Sequence, residues 1–512
     1  MRLTKAIAAG LGALHACVGC GSQPVAELRQ RALPKSQTEV VDASKPPRRG
    51  PWIILEGMVG NTPPPFEGAQ TELLATPSDR RSGEPLFKLS RGAFDEQFWL
   101  SWFQEWSPDG RTLVFDASNG FDDRGFESRL FWTDFSTAEP SPPRRIPDLP
   151  TGAELIPGNW DPTGSALPIQ HLGEVYVVRS DQHDNLTTTL SVPDSVDPAD
   201  VRLCRGGEYA LLTFFDSAGL LAPADHESGA PTQLPEAEYY ELSPDAKTIA
   251  LLTPSNSDAG GVTVMLISCD GNADALEVAD VAAADELSFS PDSRYLEVAS
   301  DGDSFVRFIE LADPGKPAWQ PEIEPYAELT WSNDSKFVLV AADSGLSVLD
   351  LEEQGSHVLE VGDDFIFTGQ TLLSRAPSDD AGTHFQLIDP LQPGAPLAEL
   401  SLDQPATPLA VTRDSTRAAF LMQKNGDTSL VRFVALDDSG WESEVILPKD
   451  ASLDTRTFSI DGRGVFATVE GNAFELYWLA AQAPQPGNGA KPEAELIYSS
   501  RSGSLLEFQP WP

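Results

Sequence analysis

The sequence predicts an all-β protein, a β-propeller of four-stranded antiparallel blades, about eight of them within a range of seven to nine. Three observations lead there. A turn of the SPDG type recurs down most of the chain. Apolar residues alternate in fixed register after each copy. The copies are spaced by about 44 residues on average, the length of a four-stranded unit.

The turn is clearest in EWSPDGRTLVF, residues 105–115. Pro108 presets φ for the second turn position, Asp109 bonds back to the backbone, and Gly110 tolerates positive φ where the next strand begins. Related windows start at Trp160 (WDPTGSALPI), Leu203 (LCRGGEYALL), Leu242 (LSPDAKTIAL), Phe289 (FSPDSRYLEV), Trp331 (WSNDSKFVLV), Val411 (VTRDSTRAAF) and Phe458 (FSIDGRGVFA). A degenerate ninth copy, FTGQTLLSRA, starts at Phe367.

The register predicts burial. An apolar residue precedes every turn: Trp106, Trp160, Leu203, Leu242, Phe289, Trp331, Val411 and Phe458. In the following strand one position is Leu113, Leu167, Ala210, Ile249, Leu296, Val338, Ala418 or Val465. Two residues on stands Phe115, Ile169, Leu212, Leu251, Val298, Val340, Phe420 or Ala467. Period-two burial of this kind is a strand signature, and the apolar residues between these positions predict cover on both faces. A third strand follows each hairpin, as in EVYVVRS at Glu174, VTVMLIS at Val262 and FVRFIEL at Phe305, and a weaker fourth often comes next. One twisted sheet cannot bury both faces alone, whereas a sheet wedged between two like neighbours does. FQPW at Phe508–Trp511 echoes FQEW at Phe103–Trp106, so the last strand is expected to pair with the N-terminal segment and close the ring.

The SPDG turn followed by an apolar strand resembles the WD-repeat-like blades of TolB and related periplasmic propellers. The resemblance covers about Ser101 to Leu479, with Ser-Pro-Asp kept at Ser107, Ser243 and Ser290. It implies the propeller fold and an envelope location and says little about activity.

The chain opens MRLTKAIAAGLGALHACVGCGSQP. Arg2 and Lys5 form a positive start, Ala6 to Leu14 a short apolar stretch, and small residues then lead into cysteine. This is an export signal too short to span a bilayer. It resembles a bacterial lipoprotein signal, in which the cysteine is lipidated. Cys17 (after Leu14-His15-Ala16) and Cys20 (after Val18-Gly19) are the two candidate anchors. Neither is followed by aspartate at the second mature position, which in that family implies the outer membrane, facing the periplasm or the surface. Residues 1–20 are therefore read as a lipoprotein-type signal peptide, 21–50 as a flexible tether and 51–512 as the propeller. The tether is rich in Pro, Ser and charge, and a coil of that length spans roughly 30 Å.

Composition sets limits on function. The chain has 512 residues, with 78 acidic against 35 basic side chains and a formal charge of −43. Such a surface repels phosphate backbones and anionic head groups, so no nucleic-acid partner is expected, and membrane contact only through the N-terminal lipid. Four cysteines are present; Cys204 and Cys269 lie far apart without metal-ligand spacing and are read as two separate buried thiols, with a bridge as the alternative.

A search for chemistry finds few motifs. There is no phosphate loop and no Gly-x-Ser-x-Gly elbow of the kind prolyl-oligopeptidase-like enzymes carry beside a propeller. His15, His171, His183, His226, His357 and His384 are too scattered for a zinc signature. The recurrent aspartates (Asp109, Asp245, Asp292, Asp334, Asp414, Asp461) are read as turn formers and Trp106, Trp160 and Trp331 as blade packing. FDDRGFESR at Phe121–Arg129 is read as a solvated loop. DGNAD at Asp270–Asp274 lacks the glycine and glutamate of a calcium loop. No catalytic, cofactor or metal residue is assigned. The favoured reading is a non-enzymatic, envelope-anchored platform for a protein, peptide or glycan. The alternatives are a glycan lyase or hydrolase with a site in the central channel, and a structural or assembly factor.

Overall fold

A computed structural model describes residues 52–508, apart from internal segments of which the longest are 60–69, 78–85, 90–103, 180–186, 191–197, 454–461 and 481–493. Among the described residues the only helical piece is one 3-10 turn, Arg205–Gly207. The rest of the regular structure is strand, arranged in ten antiparallel sheets. The segments read as signal peptide (1–20) and tether (21–50), with Cys17 and Cys20, lie outside the described residues.

Each sheet is one blade. The nine turn windows build blades 2 to 10, whose first strands are Gln104–Trp106, Glu154–Leu155, Asp200–Leu203, Tyr239–Leu242, Glu286–Phe289, Glu328–Trp331, Phe365–Phe367, Ala406–Val411 and Ser452–Leu453. Blade 1 is made by both ends of the described chain: Trp52–Val59, Gln70–Pro77 and Phe87–Lys88 pair in series, and Gly503–Phe508 adds against Trp52–Val59. The expected terminal pairing is therefore present.

The expected count of about eight blades is corrected to ten. All nine windows are true blades, and the tenth carries no turn window because its strands are split between the ends. Ten apolar clusters prove the closure. Each is drawn from two consecutive blades, from Trp52 and Ile54 with Trp106 and Phe115 between blades 1 and 2, through to Phe466, Leu476 and Trp478 of blade 10 with Leu74 of blade 1. The sixteen alternating positions predicted to be buried, from Leu113 to Ala467, are all buried. Neighbouring backbones come nearest at the first strands, as between Tyr239–Leu242 and Glu286–Phe289, or Gly503–Phe508 and Gln104–Trp106; these strands line the axis.

The pre-turn aromatics pack as read. Trp106 and Trp160 are buried, and Trp106 meets Phe135 edge-on at 4.7 Å. Trp331, half-buried, meets Phe308 at 5.6 Å and donates from Nε1 to Glu297 at 2.8 Å. Phe458 lies outside the described residues. The segment read as a loop at Phe121–Arg129 is instead a hairpin tip: strands Thr112–Asp122 and Gly125–Asp134 run through it and pair Asp122 with Gly125.

Cys204 and Cys269 are not separate thiols. They form a disulfide between blades 4 and 5, with Cα atoms 5.9 Å apart. Cys204 sits in the turn between the first two strands of blade 4, and Cys269 just follows the third strand of blade 5. Alternating strand directions bring those two kinds of connection to the same end of the ring, which explains how a separation of 65 residues closes.

Candidate functional site

Among the described residues, side chains converge in the collar of turns, on the inner wall and in a groove at one blade junction, besides an ion-pair cluster of Arg432 with Asp403 and Glu444.

The collar is structural. In seven of the described turns the first residue's N–H bonds to the strand beyond, as Ser107 to the Thr112 carbonyl at 2.8 Å and Ser290 to Tyr295 at 2.9 Å. The first side chain then accepts from that same strand: Ser107 Oγ from Thr112 N, Ser243 from Thr248, Ser290 from Tyr295, Ser332 from Phe337 and Thr412 from Arg417, all at 2.9–3.0 Å. Asp161 does the same with Oδ1 to Ala166 N at 2.6 Å. The recurrent aspartate bonds two residues on, as Asp109 to Arg111 N at 3.0 Å and Asp414 to Thr416 N at 3.1 Å. Burial pushes the Asp245 and Asp414 carboxyls up, but hydrogen bonds from Lys247 and Ser243, and from Thr412 and Thr416, hold both below the usual aspartate range. Asp461 lies outside the described residues.

The fourth turn residue is left-handed in eight of the nine copies, including Ala246 (φ 51°), Ser293 (60°), Ser335 (59°) and Ser415 (56°); in the degenerate copy the left-handed residue is Gly369, the second of its turn. Three of these non-glycine residues reach the preceding blade. Ser293 Oγ accepts from Asp245 N and Ser335 Oγ from Asp292 N, both at 3.0 Å, and Ser415 Oγ lies 2.6 Å from Thr371 Oγ1. The turns thus link blade 5 to 6, 6 to 7 and 8 to 9.

On the inner wall, Arg202 of blade 4 donates to Asp200 at 2.7 Å and to Glu241 of blade 5 at 2.6 Å; Asn159 of blade 3 donates to Asp200 at 2.8 Å. Burial works against the Arg202 charge, yet Glu241 and Asp200 hold its pKa above the ordinary guanidinium value. Three blades are tied by one network.

The groove lies between blades 6 and 7. Blade 6 has three strands, where the other nine sheets have four. Pro314, Pro317, Pro321 and Pro325 occupy the stretch that would form its fourth strand, and proline cannot sustain a ladder. A single bridge remains, Phe308 with Trp319, whose N–H···O bonds are 2.8 and 3.1 Å. The Trp319 ring stacks on Phe308 at 5.7 Å and 29°. The cavity left beside it measures about 280 Å³ and is bounded by Tyr295, Glu310, Lys316, Trp319, Glu352 and Gln354 among others. Burial pushes the Tyr295 phenol up, and its hydroxyl accepts from Arg294 Nη2 at 3.3 Å. Lys316 pairs with Glu310 at 3.3 Å, and the Arg294 guanidinium lies 5.2 Å over the Tyr295 ring.

Sequence reasoning found the collar and missed the wall network and the groove. The cluster of prolines was the available sign of the groove. His171, His357 and His384 stand on blades 3, 7 and 8, and among the described residues no group of three or more His, Cys, Asp and Glu is placed to hold a metal ion. DGNAD lies outside the described residues apart from Asp270, and no helix among the described residues is long and apolar enough to cross a membrane.

No protein-family model and no curated protein sequence matches the chain. Solved structures similar to it include a eukaryotic initiation factor (10% identity, TM-score 0.45, covering 90% of this chain and 99% of that one). Two others are the dihydro-heme d1 dehydrogenase NirN in complex with DHE (12%, 0.30, 67% and 75%) and Kluyvelomyces marxianus Hsv2 (13%, 0.26, 47% and 75%). These likenesses carry no functional statement.

Proposed function

We propose that this chain is an exported, lipid-anchored propeller acting as a non-enzymatic binding platform in a bacterial envelope, for a protein, peptide or glycan. The observation that carries the reading is the use made of the inner wall's polar groups. Asn159, Asp200, Arg202 and Glu241 spend their hydrogen bonds on joining blades, whereas a channel enzyme needs such groups turned toward substrate. The one cavity described above opens instead at the junction of blades 6 and 7.

Export is supported by the buried Cys204–Cys269 disulfide, since such bonds persist in oxidising compartments. In this reading residues 1–20 direct secretion, Cys17 or Cys20 takes the lipid, residues 21–50 hold the ring clear of the outer membrane, and the TolB-like resemblance reflects a shared envelope setting. The large negative charge keeps anionic lipid and nucleic acid away.

The test is capture from envelope extract with the full-length chain, alongside assays for glycan turnover. A specific partner without turnover supports the platform. Turnover of a glycan with no retained partner replaces it with the channel-enzyme alternative. Mass spectrometry of the mature N-terminus reads the anchor: a diacylglyceryl mass on Cys17 or Cys20 is expected, and an unmodified residue after ordinary cleavage rejects it.

A further inference from the structure

The groove has a chemistry of its own, and the geometry points to a saccharide subsite: one ring of a neutral oligosaccharide laid against Trp319, its hydroxyls held by the polar rim. This rests on the platform reading and deepens it by naming a ligand class and a place.

The floor is the first argument. Trp319 is half-buried and backed by Phe308, with the ring planes 29° apart, so it is a braced apolar plate. The negative face of an indole attracts the weakly positive C–H face of a sugar ring. In a four-stranded blade a fourth strand would occupy this position.

The rim is the second. Arg294 and Lys316 are balanced by Glu310 and Glu352, with the amide of Gln354 beside them. With Asp292 3.9 Å from the Arg294 guanidinium and Glu310 3.3 Å from Lys316, each cation at the rim already has a carboxylate of its own, which disfavours an anionic ligand. Guanidinium, carboxylate and amide groups are planar and donate or accept in pairs, which suits adjacent hydroxyls. Gln354 is also held at φ 53°, a conformation that glycine would adopt without strain.

The third argument separates sugar from peptide. An extended peptide would dock by adding to a sheet edge. At the groove that edge is engaged, since Phe308 and Trp319 exchange both backbone bonds. What remains open is side-chain surface.

The experiment is fluorine NMR of the full chain carrying 5-fluorotryptophan, with the Trp319 signal assigned through Trp319→Phe. The probes are chitotetraose, cellotetraose, maltotetraose and a proline-rich decapeptide. A saturable shift of the Trp319 signal with at least one sugar is expected. Trp319→Ala should weaken that binding by about tenfold or more. Gln354→Gly should raise Tm while weakening binding, which a purely structural glutamine would not do. A Trp319 response to the peptide alone, or to no probe, overturns the saccharide assignment. An envelope partner captured equally by parent and Trp319→Ala protein would then show the platform reading standing without the groove. Loss of both would sink the two together.

Discussion

Blades 6 and 7 are neighbours with almost the same inner half and different outer halves. FSPDSRYLEV and WSNDSKFVLV place Ser290 and Ser332 at the first turn position, each accepting from the strand beyond, and Ser293 and Ser335 at the left-handed one. Leu296 and Val298 are as deeply buried as Val338 and Val340. Beyond the third strand they part. Blade 7 adds Gly355–Leu359, while blade 6 runs into prolines and leaves a groove. The inner hairpin and third strand carry the ring, so the outer position is free to vary, and the groove lies where it has varied.

Cutting the shared core should have the largest effect. Phe308→Ala removes a buried ring that meets both Trp331 and Trp319, and about 3–5 kcal/mol should be lost in urea unfolding. Val358→Ala, on the fourth strand of blade 7 and 72% exposed, should stay within about 0.5 kcal/mol. Equal losses would mean the outer strand matters as much as the inner.

The same turn collar can be compared at blade 4, where Cys204 replaces the capping oxygen with a covalent tie to blade 5. Either Cys204→Ser or Cys269→Ser breaks the bridge and should cost about 2–5 kcal/mol. Serine at 204 regains an oxygen placed to accept from Tyr209 N, as Ser290 does from Tyr295. Cys204→Ser should therefore be the milder change by roughly 1 kcal/mol, read from paired denaturation curves. The opposite order would show that the cap adds nothing to the turn.

A smaller contrast lies at the left-handed position. Ala246→Gly relieves a conformation costing about 1 kcal/mol with no hydrogen bond lost, so Tm should rise. Ser335→Gly gains the same relief but gives up the bond from Asp292 N, and should leave Tm nearly unchanged.

The smallest effect is in acid. The folded pKa of Asp414 is depressed below its unfolded value of about 3.9. Its contribution is fully present well above that value and is lost as pH falls through the lower folded one. Asp414→Asn should flatten the acid limb of a stability–pH profile below about pH 4 and leave its shape at neutral pH intact.

The legible part of this protein is what repeats. Leu113 and Phe115 and their counterparts could be read because strand alternation has a period of two and recurs in every window. The blade count fell short because blade 1 has no turn window: its four strands come from opposite ends and become one sheet only in three dimensions. Cys204 and Cys269 were misread for a related reason, since nothing local marks two residues that meet because adjacent blades share one end of the ring. Trp319 sits in a stretch whose prolines look like a linker, and its stacking on Phe308 depends on a strand that failed to form. Arg202, Asp200 and Glu241 read as ordinary charges on short strands until the axis brings them together.

The seam in blade 1 dictates an order of events. Gly503–Phe508 is synthesised after every other described strand of the ring, so the annulus stays unlatched until it emerges. Throughout that interval Trp52–Val59 presents a bare β edge to any strand nearby. Deleting 503–508 should therefore convert single molecules into edge-joined aggregates, and a helper that shields that edge during folding would suppress them.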